Sequence, residues 1–123
     1  MTPVRVVLVE DNETFRQTLE LLFGLRDEIE VVASVATGDE APTVVQALRP
    51  DVVLMDYRMP GLNGAEATRL VLAADPTTRV VCLSASVTAE EIAEVERAGA
   101  AAVVTKDEDF DRLVAIVCEA ARE

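Results

Sequence analysis

Five short apolar runs rich in β-branched residues recur along the chain, at 4–9, about 30–36, 52–55, 79–83 and 101–104. Segments with helical spacing lie between and after them, at about 12–25, 39–49, 64–74, 87–98 and 108–122. Strands that alternate with helices in this way cannot pair as hairpins, so they form a parallel sheet with helices on both faces. Local signals agree with the placement. Asn12 can cap the first helix, with Glu13 adding charge to its first turn, and Thr88 precedes Glu90 and Glu91 at the start of the fourth. Gly99 follows Arg97-Ala98 as a C-cap, while Pro42 near the start of the second helix argues that this helix starts late.

At 123 residues there is room for one compact domain, and half of them are apolar, enough for a single core. No run of about 18 apolar residues occurs, which excludes a helical membrane span. The N-terminus runs from Thr2-Pro3 directly into a strand without signal-peptide features, so the expected location is cytoplasmic. Twenty-three Asp and Glu against 11 Lys and Arg give a net charge of −12. That sign repels phosphate backbones and argues against direct nucleic-acid binding by this chain. There is no histidine, and Cys82 and Cys118 lack CxxC partners, so zinc, haem and Ser-His or Cys-His chemistry are unsupported. Both thiols read as structural. Gly61-Leu62-Asn63-Gly64 matches no phosphate-binding glycine motif and reads as turn chemistry.

The chemistry gathers where the strands end. The first strand runs into Glu10-Asp11, the third into Asp56, the fourth into Ser84 and the fifth, through Thr105, into Lys106. With the flavodoxin-like strand order 2-1-3-4-5, strands 1 and 3 flank the switch point, so Asp11 and Asp56 face one crevice. Carboxylates without soft ligands suit magnesium. Lys106 brings a mobile positive charge and Ser84 a hydroxyl donor. A carboxylate nucleophile, a hard cation, a lysine and a hydroxyl compose a phosphoryl-transfer site. Singly, each has a plainer explanation: a helix cap for Glu10-Asp11, an Asx turn for Asp56, a solvated loop for Lys106. It is their coincidence on four strand ends that favours chemistry.

The stretches Val7-Leu8-Val9-Glu10-Asp11-Asn12, Arg49-Pro50-Asp51 through Asn63-Gly64, Leu83-Ser84-Ala85 and Ala98-Gly99-Ala100 through Lys106-Asp107 carry a resemblance over essentially the whole chain. It resembles the receiver (CheY-like) domains of two-component response regulators. Lys106-Asp107, in place of the common Lys-Pro, and Gly64-Ala65-Glu66-Ala67-Thr68 look most like the NarL/FixJ class. The resemblance implies that Asp56 is the phosphoacceptor, taking its phosphoryl group from a histidine kinase. It implies Mg²⁺ held by the Asp11 and Asp56 carboxylates and the Arg58 backbone carbonyl, with Glu10 acting mostly through water. Ser84 and Lys106 would hold the phosphoryl group, small Ala85 would leave access to it, and Arg58 would tune phosphate lifetime. The face formed by the fourth helix, fifth strand and fifth helix would meet an effector or a second copy.

One position departs from the family. Three residues before the lysine, where an aromatic switch is common, stands Val103. The expectation is that signal passes instead through the fourth and fifth βα units. A phosphatase of the haloacid-dehalogenase type would need a second acid two residues after Asp56, where Arg58 stands. A pseudo-receiver, a phosphorylation-independent interaction module, would usually have lost an acidic residue or the lysine. Termination at Ala120-Ala121-Arg122-Glu123 fits a receiver taken from a longer protein with a C-terminal helix-turn-helix domain at least as well as a stand-alone phosphorelay receiver. The expected output is transcription in the first case. Such a domain catalyses only its own modification and is not an enzyme.

Overall fold

A computed structural model describes residues 2–123. Strands β1 (Val4–Val9), β2 (Ile29–Val35), β3 (Val52–Met55), β4 (Arg79–Ser84) and β5 (Ala102–Thr105) alternate with helices α1 (Glu13–Gly24), α2 (Ala41–Leu48), α3 (Gly64–Ala74), α4 (Ala89–Ala98) and α5 (Phe110–Ala121). All strand pairs are parallel and the order is β2-β1-β3-β4-β5, as the alternating pattern and the resemblance predict.

The side-chain alternation of the three inner strands builds two cores. Val6, Leu8, Val52, Leu54, Val81 and Leu83 point to one face and pack under α1 and α5, against Leu19, Phe23, Leu113 and Val117. Val7, Val9, Val53, Met55 and Val80 point to the other face, toward Ala41 and Val45 of α2 and Ala67 and Val71 of α3. Each inner strand is thus buried on both faces, which explains why it reads as a continuous apolar run. A smaller cluster of Tyr57, Ala65, Cys82 and Val95 ties α3 and α4 together, with Val103 packed against it.

The caps form largely where the sequence signals them. Asn12 accepts from the Phe15 N–H at 2.9 Å. Asn63–Glu66 and Thr88–Glu91 form reciprocal capping boxes. Gly99 takes φ 112° at the end of α4. α1, α2, α4 and α5 are each two or three residues shorter than the spacing predicts. α2 starts at Ala41 with Pro42 in its first turn, the late start that proline requires, and it ends at Arg49 in a left-handed conformation. α5 begins only at Phe110, because the Thr105 hydroxyl donates to the Asp107 carboxylate and holds a turn there. That turn also gives a reason for a polar residue before Lys106 and an aspartate after it. No helix among the described residues is long and apolar enough to cross a membrane.

Candidate functional site

β1 and β3 deliver their acids side by side because the ladder continues past both strands. The Asp56 N–H donates to the Val9 carbonyl at 3.0 Å, and the Glu10 N–H to the Val35 carbonyl at 3.0 Å. Carboxylate oxygens of Glu10, Asp11 and Asp56 lie within 4.8 Å of one another. Glu10 and Asp56 are buried, and Asp11 is exposed at the rim.

Two buried carboxylates in contact repel and lose hydration, a cost that requires compensation. Lys106 supplies most of it. Its Nζ lies 2.6 Å from Glu10 Oε1 and 3.3 Å from Asp56 Oδ2. The backbone of Lys106 is fixed by its N–H, which donates to the Ser84 carbonyl at 2.8 Å. Amide groups provide the rest. The Asn12 N–H donates to Glu10 Oε2 at 3.1 Å and the Arg58 N–H to Asp56 Oδ1 at 3.3 Å. Two acids share one cation, and the charge balance shows it. Burial and the neighbouring Asp56 carboxylate push the Glu10 carboxyl above its ordinary range, against the opposing pull of Lys106. Burial works against the charge on Lys106, but Glu10 and Asp56 outweigh it and hold the amine above its ordinary value, fully protonated. Three oxygen ligands around one point, with no sulfur or imidazole, fit a hard cation such as Mg²⁺.

The remaining sequence-predicted residues fall around this centre. Ser84 ends β4, buried, with its hydroxyl donating over a long 3.4 Å to the Ser86 carbonyl. Ala85 beside it is exposed. Val103 pairs in register with Cys82, and no aromatic rotor exists there. The Arg58 side chain turns to α4, with Nη2 2.7 Å from Glu91 Oε1 and the guanidinium 5.5 Å from the Tyr57 ring centroid. Only its backbone N–H touches Asp56. Cys82, under the site, has its thiol pushed up to about 12, first by burial and then by the Asp56 charge, so it stays protonated and inert.

Sequence reasoning missed three contributors. Phe15 lies with its ring centroid 4.4 Å from Lys106 Nζ. Arg16 donates to the Glu10 carbonyl at 2.7 Å. Glu91 receives Arg58 and the Thr88 N–H on the same oxygen. A signal for the first was available: Asn12 as N-cap places Phe15 in the first helical turn, beside the strand ends. Arg58–Glu91 spans two distant segments, and nothing local announces it.

Residues 6–118 match the model of the response regulator receiver domain family. The chain belongs to that family. This receiver is 35% identical over 114 residues to the transcriptional regulatory protein LnrK of Bacillus subtilis, covering 93% of this chain and 52% of LnrK. It is 41% identical over 102 residues to a protein-glutamate methylesterase/protein-glutamine glutaminase of Geobacter metallireducens, covering 83% of this chain and 29% of that protein. Among solved structures, the signal receiver domain of the response regulator NarL from Mycobacterium tuberculosis superposes with a TM-score of 0.93 at 32% identity, covering 99% of this chain and 98% of that one. The receiver spans about half the length of LnrK and less than a third of the methylesterase.

Proposed function

We propose that this receiver is phosphorylated on Asp56 by a histidine kinase. The observation that carries the reading is the buried Glu10–Lys106–Asp56 contact, in which the Lys106 ammonium already sits against the acceptor carboxylate. An Asp56 oxygen attacks the phosphorus of a kinase phosphohistidine; the O–P bond forms as the P–N bond breaks, and the imidazole leaves with the electron pair. The histidine comes from the partner, consistent with its absence in this chain. Lys106 then turns its ammonium from the Asp56 carboxylate to a phosphoryl oxygen, and the Ser84 hydroxyl donates to another. Water later cleaves the acyl phosphate, restoring the carboxylate and releasing inorganic phosphate. Glu10, Asp11, Asp56 and the Arg58 carbonyl would hold Mg²⁺, Glu10 through water. When bound, Mg²⁺ offsets negative charge on the transferring group.

Arg58, beside the acceptor, tunes the lifetime of the phosphoryl group. Signal leaves through the fourth and fifth βα units, with Val103 in place of an aromatic switch, toward a partner or second copy on the α4–β5–α5 face. The receiver acts in the cytoplasm within a longer regulator that carries a C-terminal helix-turn-helix domain, and its output is transcription. The likeness to LnrK and the half-length coverage support that reading. The domain modifies itself and turns over no small-molecule substrate.

The test is intact mass after incubation with acetyl phosphate, with and without Mg²⁺, for wild type and Asp56→Asn. A Mg²⁺-dependent gain of one phosphoryl group in wild type alone is expected. No gain from acetyl phosphate or from a phosphorylated histidine kinase would reject the mechanism. The same masses followed after donor removal read the role of Arg58: equal decay in wild type and Arg58→Ala would remove it.

A further inference from the structure

Lys106 has a third neighbour that the phosphoryl-transfer scheme leaves unused. Its ammonium lies 4.4 Å from the centroid of the Phe15 ring, well inside the range of a cation–π contact. The lysine side chain is only 18% exposed, so the ring stands where water would otherwise solvate the charge. Phe15 is fixed independently of the lysine. Its N–H donates to the Asn12 cap at 2.9 Å, and its side chain packs against the core under α1 and α5.

We propose that Phe15 is a positioning residue for phosphoryl transfer, a π-face seat on which the Lys106 ammonium travels between the Glu10–Asp56 contact and the phosphoryl group. The inference rests on the reading of Asp56 as phosphoacceptor and Lys106 as its cation. The two kinds of contact to Lys106 act differently. The Glu10 bond at 2.6 Å is short and directional, and on its own it would hold the ammonium back. A ring face attracts a cation over a broad area, so the ammonium can shift toward a new oxygen while the contact persists. The ring also keeps the cation dry, which strengthens its attraction for the phosphoryl oxygens. The bland account, in which Phe15 is only a core side chain at the start of α1, predicts no dependence on the lysine.

The experiment follows Mg²⁺-dependent phosphorylation by acetyl phosphate, read by intact mass, in wild type, Phe15→Leu and Phe15→Trp, each also in a Lys106→Ala background. Phe15→Leu keeps the apolar bulk without the π face and should be slower by about 3- to 30-fold. Phe15→Trp keeps a π face and should match or exceed wild type, and in the Lys106→Ala background Phe15→Leu should change little. The Lys106 ε-methylene protons should be shifted upfield by the ring in wild type and return toward ordinary values in Phe15→Leu, a readout independent of turnover. A Phe15→Leu rate equal to wild type, an equal loss in both backgrounds, or unshifted ε-methylene protons in wild type would each overturn the proposal. A Lys106→Ala protein as fast as wild type would remove the role of Lys106 itself, and that of Phe15 with it, while Asp56→Asn tests the acceptor separately.

Discussion

At Gly64 the chain returns against its own loop after Asp56. A Cβ there would stand 2.7 Å from Tyr57 Cα and 2.8 Å from the Asp56 carbonyl oxygen, and the Gly64 N–H donates to the Tyr57 carbonyl at 2.7 Å. Backbone atoms cannot yield as a flexible side chain would. Gly64→Ala should therefore cost about 1–3 kcal/mol, an overpacking penalty that lowers the melting temperature by several degrees. Thermal unfolding followed by circular dichroism checks this, and an unchanged midpoint would contradict the steric account. The sequence reading took the Gly61–Gly64 pair as turn chemistry, and that is right for Gly61, at φ 82°. Gly64 is glycine for a different reason, close approach inside a helix start, which one sequence does not distinguish from a turn. The acids and the lysine were legible because strand ends mark them. Phe15 was half legible, since the Asn12 cap places it beside the strand ends but an aromatic in a first helical turn looks like ordinary core, and Arg58–Glu91 joins segments that only the tertiary fold brings together.

Between α3 and β4 a single carboxylate organises the turn. Asp75 ends α3, is buried, and accepts from the Thr77 hydroxyl at 2.6 Å, the Thr77 N–H at 3.0 Å and the Thr78 hydroxyl at 3.3 Å. The single Thr78 hydroxyl proton is shared with the Pro50 carbonyl at 3.1 Å, so the turn is tied to the entry of β3. The Thr77 hydroxyl, then its amide, hold the Asp75 carboxyl below its ordinary range, against some opposition from burial. A folded-state value below the unfolded one means that the ionised form stabilises the fold above the unfolded value, and that this contribution disappears as pH falls through the folded value. Asp75→Asn should accordingly melt below wild type at neutral pH, with the gap closing as pH drops below about 4. A gap that stays constant across melts from neutral to acid pH would show that charge is not what matters there. Helices and strands themselves were readable from periodicity. The late start of α2 was signalled by Pro42, whereas that of α5 was not, because the Thr105–Asp107 turn delays it by a local contact that helical spacing does not encode.

Taken whole, the molecule carries a net charge of −12 on a fold that draws three carboxylates to one point. Self-repulsion of that size opposes compaction, and salt weakens it as the screening length falls from about 30 Å near 0.01 M to about 8 Å near 0.15 M. Raising sodium chloride across that interval should raise the melting temperature, and a fall would indicate that attractive pairs such as Arg26–Glu28 and Arg26–Asp111 dominate instead. The parallel sheet was legible at this scale because strands alternate with helices, and its order came with the flavodoxin-like topology rather than from the pattern itself. The shift in register between β1 and β2 at Val6/Val7 was not, as no residue type there calls for it.

The hydrogen bond that closes the segment from Tyr57 to Gly64 at its base also bears on how such a protein can vary. β3 enters that segment and α3 leaves it from nearly the same place, so while buried Met59, left-handed Gly61 and the Asn63 cap are read by the scaffold, exposed Arg58 and Pro60 hang outside it. Substitutions at the exposed positions 58 and 60 can accumulate without redesign of the sheet. Diversity can gather there while the architecture is inherited unchanged.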